Sequence, residues 1–266
     1  MLVIADTISE ILVDPKPVVG FFGSPPRGLL LDEVRKHNAR LVDLDIDYKA
    51  PSVNLVPKAY CHILRNCVDN AAALGPHLVS VVAATGKEKC DGGRFAAWIL
   101  REKLRVPVLF TECTEMGPAL PPRLCEAKGS LKKRAVRIMR SIVDPLTAKE
   151  KTDASENRCT PTHGFWGTPP HPIEVLDLFP ETTHVFGWTR CVEQGRPADS
   201  ALEMSVPEGL PIVFFSQGFC QKAALAKHLA ESHGGIHVDV HDTLNAAVTA
   251  KIEAFIRLSV PNGGAR

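Results

Sequence analysis

Features that direct a chain toward a membrane, a nucleic acid or the secretory route are scarce in these 266 residues. No apolar run approaches the roughly 20 residues that a membrane-spanning helix needs. The charges nearly cancel, with 31 Lys and Arg against 30 Asp and Glu, so the composition favours no polyanionic partner. Residues 1–6 have no basic flank before their short apolar stretch, which argues against a signal peptide. We therefore expect a cytoplasmic protein that binds neither nucleic acid nor membrane.

Two common ligand-binding motifs are also missing. The eight cysteines include no Cys-x-x-Cys pair, which excludes the usual zinc patterns. The pair Gly86-Lys87 lacks both the earlier glycine and the following Ser or Thr of a phosphate-binding loop, so any ATP must be hydrolysed by another protein. In a reducing compartment, cysteines indicate metal binding or redox chemistry, or they serve as small buried hydrophobic residues.

The chain contains an internal repeat. Residues 20–26 read Gly-Phe-Phe-Gly-Ser-Pro-Pro, and residues 164–170 read Gly-Phe-Trp-Gly-Thr-Pro-Pro. An amphipathic run and a β-type stretch follow each copy. Cys61 precedes Cys90 by 29 residues, and Cys191 precedes Cys220 by the same interval. Together these matches predict two copies of one α/β unit, over about residues 17–116 and 161–258.

Apolar segments alternate with amphipathic ones in each copy, which predicts parallel sheets covered by helices on both faces. In the first copy the predicted strands are 18–22, 40–46, 78–83 and 106–110, and the predicted helices are 29–38, 60–73 and 93–103. In the second copy the predicted strands are 185–188, 211–215 and 236–240, and the predicted helices are 222–231 and 244–256.

We predict three regions along the chain: an N-terminal α/β lobe (1–116), a connecting segment (117–160) and a C-terminal α/β lobe (161–266). Within the connecting segment, residues 128–143 form a predicted basic helix, and residues 147–160 are polar enough to be a loop. The helix carries five cations that suit phosphates, an acidic partner or a solvated face: Lys132, Lys133, Arg134, Arg137 and Arg140.

Cys90 and Cys220 both follow a predicted strand and precede a predicted helix. Parallel sheets bind ligands at this position, beyond the carboxyl ends of their strands. A helix N-terminus stabilises anionic sulfur, and Asp91-Gly92-Gly93 allows backbone amides to approach a bulky group. Thiolates from two lobes can ligate one soft metal site, because an iron–sulfur cluster does not need ligands adjacent in sequence.

Four segments between residues 18 and 258 carry a family resemblance. They are residues 55–65 around Cys61, the run Cys90-Asp91-Gly92-Gly93-Arg94, residues 214–220 ending in Phe-Cys, and residues 247–256 with Lys-Ile-Glu-Ala-Phe-Ile. In this order they resemble the three cysteine motifs and the C-terminal stretch of the 2-hydroxyacyl-CoA dehydratase and benzoyl-CoA reductase family.

This resemblance implies an α/β fold of two flavodoxin-like (Rossmann-like) lobes with a [4Fe-4S] cluster in the cleft between them. The three cysteine ligands of the family correspond to Cys61, Cys90 and Cys220. The open iron position then meets a water or the thioester carbonyl of an acyl-CoA. A separate ATP-dependent activator delivers one low-potential electron, and the resulting ketyl radical loses hydroxide or is reduced further. A homologous or identical subunit completes a dimer.

Some features depart from the family pattern and leave alternatives open. Cys191 is the repeat partner of Cys61, so it is a candidate fourth ligand, and Cys113 is a candidate to face the cleft. The chain is shorter than the usual subunit, mainly between the lobes, where relatives help to enclose acyl-CoA. The alternatives are a double-cubane-type reductase of small molecules, a non-catalytic electron-transfer or maturation scaffold, and an α/β binding protein with structural cysteines.

Overall fold

The chain divides into two compact units, each built around its own sheet. The structure is a computed structural model that describes residues 2–86, 90–112, 118–197 and 199–259. The first unit comprises Met1–Glu115 together with Ile142–Asp144, and the second comprises Met116–Ser141 and Pro145–Arg266. Within the described ranges, no helix is both long and apolar enough to cross a bilayer.

The sheet of the first unit has four parallel strands in the order β2-β1-β3-β4. All five residues of the central strand β1 are buried, which explains why its sequence is continuously apolar rather than alternating. The predicted strands are confirmed, with small differences at their ends. They are β1 (Val18–Phe22), β2 (Arg40–Asp43), β3 (Leu78–Ala84) and β4 (Val108–Thr111).

Helices cover both faces of this sheet. Val18 and Phe22 point into one cluster with residues of α3 and α4, whereas Val19 and Phe21 point into another with Leu30 of α2. The alternation follows from the pleat, which turns successive side chains to opposite faces. The helices are α1 (Ile8–Leu12), α2 (Arg27–His37), α3 (His62–Leu74) and α4 (Asp91–Glu102).

The second unit has a separate sheet of four parallel strands in the order β6-β5-β7-β8. Position for position, this order matches that of the first sheet. The strands are β5 (His163–Trp166), β6 (Thr183–Phe186), β7 (Ile212–Gln217) and β8 (Ile236–Val240). Around them lie a 3-10 helix (Ile173–Leu178) and the helices α7 (Trp188–Glu193), α8 (Ser200–Met204), α9 (Ala223–Ser232) and α10 (Ala246–Leu258).

Two local predictions were wrong. Residues 147–160 are not a loop throughout, because they include helix α6 (Ala148–Glu156), which begins with a capping box between Thr147 and Glu150. The predicted strand 185–188 ends at Phe186, since Gly187 takes a φ of 71° and Trp188 already begins α7. The basic helix is confirmed but shorter, as α5 (Leu131–Arg140), because the side chain of Ser130 caps it by accepting from the Lys133 amide.

Candidate metal centre

The first unit carries two of the predicted ligands at the N-termini of neighbouring helices. Cys61 is the N-cap residue of α3, and Cys90 is the N-cap residue of α4. The two helices pack against each other, and the Cys90 side chain is exposed while that of Cys61 is half-buried. Both cysteines therefore lie at helix ends whose first amides carry partial positive charge, although neither side chain makes a capping hydrogen bond.

Tyr60 lies near both of these cysteines, and the sequence interpretation did not single it out. Its hydroxyl donates a hydrogen bond to the carbonyl oxygen of Gly92 over 3.0 Å. Burial raises the pKa of Tyr60, and the nearby thiols of Cys90 and Cys61 raise that pKa further. A negative charge on either sulfur atom therefore raises the pKa of the same phenol. Its position directly before Cys61 was the available signal in the sequence.

Gly92 leaves open the space around Cys90. A Cβ atom at Gly92 would lie 2.7 Å from Cδ1 of Leu64, 3.3 Å from Sγ of Cys90 and 3.6 Å from the hydroxyl of Tyr60. The first of these distances is too short for two carbon atoms. A side chain at this position would therefore press on Leu64 and occupy the space that the thiol and the phenol border.

In the second unit, Cys220 follows β7, which occupies the same place in its sheet as β3 does in the first. The Cys220 amide donates to the carbonyl oxygen of Gln217 over 2.8 Å. A Cβ atom at Gly218 would lie 2.8 Å from the Cα atom of His241, so only glycine fits there. Nε2 of Gln217 lies 2.7–2.9 Å from three carbonyl oxygens, those of His171, Val240 and His241. These contacts hold the loop that presents Cys220.

Cys191 differs from the other three predicted ligands. It lies inside α7 rather than at a helix N-terminus, and it is 1% exposed. Its sulfur points to the carbonyl oxygen of Asp199 at 3.7 Å. Burial is the main cause that raises the pKa of Cys191 to about 12, and the charge of Glu203 contributes to the same increase. Without a metal nearby, this buried thiol is therefore held in its protonated form.

The remaining described cysteines have other surroundings. Cys67 and Cys125 are fully buried, and burial raises the pKa of each well above its usual value. The carboxylates of Asp45 and Glu193 raise these two pKa values further. Cys159 is half-buried in the second unit. Cys113, the candidate cleft cysteine, lies outside the described residues.

A pair of carboxyl groups at the end of β2, with Asp43 buried and Asp45 half-buried, also escaped the sequence interpretation. The Gly23 amide donates to Oδ2 of Asp45 over 2.7 Å, and the Asp45 amide donates to Oδ1 of Asp43 over 3.0 Å. Burial raises the pKa of both carboxyl groups, and the charge of Asp45 adds to the effect on Asp43. An Asp-x-Asp pattern directly after an apolar strand was the available signal.

No family model matches the chain, and a search of the curated proteins finds no match.

Proposed function

We propose that this chain is an iron–sulfur protein that binds a [4Fe-4S] cluster through Cys61, Cys90 and Cys220. In this proposal it uses a low-potential electron to dehydrate or reduce an acyl-CoA thioester, in the cytoplasm. The observation that carries the proposal is the pair of cysteines at the N-termini of α3 and α4, grouped around Gly92 and Tyr60. Such a pair suits a soft, anionic, thiolate-ligated group.

The finer description of the fold belongs to the same proposal. We take the two units to be flavodoxin-like lobes that arose by duplication. The identical strand order of the two sheets supports this interpretation, as does the equivalent position of Cys90 after β3 and Cys220 after β7. Duplication would explain why thiols recur at the carboxyl ends of corresponding strands.

The residues of the first unit fit a cluster. The donor set is thiol sulfur at helix N-termini, and the space beside Cys90 is one that a Cβ atom at Gly92 would partly fill. A bound cluster of this kind supplies a low-potential electron to a substrate carbonyl. Of the chain's own residues, Tyr60 holds its proton toward the Gly92 carbonyl beside both thiols, so its phenol remains neutral and keeps α4 in place.

Cys191 is not part of the ligand set that we propose. Its ligation would require α7 to expose a side chain that is now 1% exposed. A double-cubane cluster, which needs more thiolates, therefore has less support than a single cluster. The non-catalytic scaffold remains the second candidate function, because the short connection between the lobes favours it.

The proposed partners are acyl-CoA, an ATP-dependent activator and a second, identical or homologous subunit. The basic helix α5 is not a strong docking surface for an acidic activator, because three of its cations act within the unit. Lys132 pairs with Asp177 at 3.0 Å, Arg137 pairs with Glu150 at 2.5 Å, and Arg134 is buried with a hydrogen bond to the Thr183 carbonyl. We therefore do not assign the activator to this helix.

The ligand set is tested by anaerobic reconstitution with iron and sulfide. We expect the protein to bind equal amounts of both and to develop thiolate-to-iron charge-transfer absorbance. Separate Cys61→Ser, Cys90→Ser and Cys220→Ser variants should each lose most of this iron while keeping the circular dichroism of a folded α/β protein. Cys159→Ser is the matched control and should bind iron like the unmodified chain. Full iron binding by Cys220→Ser would refute the ligand set.

A turnover assay distinguishes the proposed enzyme from the non-catalytic scaffold. With an acyl-CoA present, activity of the loaded protein should require both ATP and an activator protein, and Cys220→Ala should abolish it. A loaded protein that binds no acyl-CoA and shows no ATP-dependent reduction would make the scaffold the correct function.

A further inference from the structure

Arg65 bonds to the residues on both sides of Cys61. Its Nε donates to the carbonyl oxygen of Tyr60 over 3.2 Å. A terminal nitrogen of the same guanidinium lies 3.1 Å from Nδ1 of His62, which accepts because a guanidinium can only donate. Since the guanidinium is planar and rigid, it fixes the residue before Cys61 and the residue after it at the same time. The N-terminus of α3 is therefore held by a side chain of the same helix.

Tyr60 extends this connection to α4. Its hydroxyl donates to the carbonyl oxygen of Gly92 over 3.0 Å. Gly92 lies in the first turn of α4, two residues after Cys90. The hydrogen bonds thus run from Arg65 through Tyr60 to the helix that begins after Cys90. We call Tyr60 and Arg65, with their partners His62 and Gly92, the Tyr60 clamp.

The two cysteines do not hold their own positions in the way that most N-cap side chains do. An N-cap Ser, Thr, Asp or Asn accepts a hydrogen bond from one of the first amides of its helix. Thr7, Ser130 and Thr147 do so at the starts of α1, α5 and α6. Neither Cys61 nor Cys90 makes such a bond. The position of each thiol therefore depends on neighbouring residues, and the Tyr60 clamp holds those neighbours.

The second copy of the repeat has other residues at the clamp positions. The two copies are offset by 130 residues, the interval from Cys61 to Cys191, so the four corresponding residues are Arg190, Val192, Gly195 and Lys222. Gly195 has no side chain and Val192 has no polar one, so the two bonds of Arg65 cannot form there. In this copy Cys191 is 1% exposed inside α7, whereas Cys61 is half-buried at a helix N-terminus. The clamp therefore occurs in the copy that presents its first thiol at a helix end.

We propose that Arg65 and Tyr60 are positioning residues that hold Cys61 and Cys90 in place before a metal binds. This inference rests on the proposed ligand roles of these two cysteines, and it involves neither Cys220 nor a substrate. Ligands that are already ordered lose less conformational entropy when a metal binds, so the Tyr60 clamp should raise the affinity for a thiolate-ligated group. Residues that orient metal ligands through hydrogen bonds commonly contribute about 10- to 100-fold to metal affinity.

The first test uses the full chain without metal, so it does not depend on a cluster. Bifunctional thiol reagents of graded length are attached under anaerobic conditions. Peptide mass spectrometry then measures how fast a reagent bound to Cys61 or Cys90 closes onto the other cysteine. Arg65→Gln and Tyr60→Phe should each lower this closure rate about 3- to 10-fold, because a thiol that is free to move has a lower effective concentration.

Two further variants serve as controls for the closure rate. Arg65→Lys keeps the positive charge, but an ammonium group does not reproduce the planar fork of a guanidinium, so the closure rate should stay low. Arg35→Gln removes an exposed arginine of α2 that pairs with Asp32, and this variant should close at the rate of the unmodified chain. Equal closure rates in all of these proteins would overturn the proposal.

The second test loads each protein anaerobically with iron and sulfide. Arg65→Gln and Tyr60→Phe should lose half of their iron at an about 10-fold lower concentration of a competing chelator, and the electron paramagnetic resonance spectrum of the reduced centre should change. Arg35→Gln should match the unmodified chain in both measurements. A chain that takes up no iron would contradict the proposed function, and the closure rates would still decide on the clamp. Normal iron affinity in Arg65→Gln and Tyr60→Phe, together with normal closure rates, would overturn the clamp alone.

Discussion

At the scale of single residues, two acidic side chains lie together at the end of β2, with Asp43 buried and Asp45 half-buried. Each accepts a backbone hydrogen bond, but each also loses hydration, and two carboxylates this close repel each other. Cys67 shares this environment, since its sulfur lies 3.2 Å from Oδ1 of Asp45. A buried acid whose pKa is raised stays protonated over part of the pH range in which the unfolded chain is ionised.

The raised pKa of Asp43 predicts how the free energy of unfolding depends on pH. In the unfolded chain an Asp loses its proton near pH 4, whereas the folded chain keeps the proton on Asp43 to a higher pH. As the pH rises above about 4, the free energy of unfolding therefore decreases until Asp43 also ionises in the folded state. Asp43→Asn removes this loss and retains the acceptor for the Asp45 amide. We expect the free energy of unfolding to rise by about 1–3 kcal/mol at neutral pH and to show no gain at pH 3.

Urea unfolding at several pH values measures this effect. Asp32→Asn is the control, because Asp32 is an exposed residue of α2 paired with Arg35 and should leave the pH profile unchanged. A destabilised Asp43→Asn protein at neutral pH would mean that Asp43 functions as an anion in the folded state.

At the scale of elements, capping decides where helices begin in the polar connecting segment. Residues 148–156 have little apolar character, yet they form α6 because Thr147 and Glu150 satisfy each other's backbone amides. The hydrogen bond from Arg137 lowers the pKa of Glu150 to about 2, with the Thr147 backbone as the next cause. The cap therefore stays ionised over the physiological range and also attaches α6 to α5.

Removal of the cap should weaken this helix. Thr147→Ala leaves the Glu150 amide without its side-chain acceptor, so we expect a loss of about 1 kcal/mol and faster amide exchange across α6. Thr152→Ala makes the same substitution inside the same helix and should be neutral or slightly stabilising, since alanine is the better helix former. Equal effects of the two variants would show that the capping box contributes nothing.

At the scale of the whole molecule, the chain returns to the first unit after that unit's own sheet is complete. Residues Ile142–Asp144 belong to the first unit although they follow α5 of the second. Val143 is 8% exposed in the cluster around Leu30, and its carbonyl oxygen accepts from Nε of Arg27 over 2.7 Å. The sheet of the first unit is therefore stabilised by a segment that a division by sequence order assigns to the connection.

This arrangement predicts that Val143→Ala acts on the first unit. We expect a loss of about 1–3 kcal/mol from the cavity and the lost apolar contact. Amide exchange should accelerate in β1 and β2 and stay unchanged in β7, as measured by mass spectrometry. Met204→Ala is the control, because the Met204 side chain is 45% exposed in the second unit. Faster exchange in β7 alone would contradict the assignment of Val143 to the first unit.

The sequence by itself determined the α/β class, the parallel sheets and most strand and helix positions. Strand β1, for example, has the predicted bounds, because a strand buried on both faces must be continuously apolar. Local pattern also placed Cys90 before a helix, since the start of a helix depends on a few neighbouring residues. Cys61 fell inside the predicted helix 60–73, which in the structure begins only at His62.

Only the tertiary structure decided what depends on residues far apart in the chain. The burial of Cys191, the pairing of Lys132 with Asp177 and the approach of His184 to Cys159 are of this kind. Burial and charge pairing arise when separate segments meet, and no local pattern records which segments those are. For that reason equal cysteine intervals predicted equivalent roles for Cys61 and Cys191, whereas the fold gives these two thiols different environments.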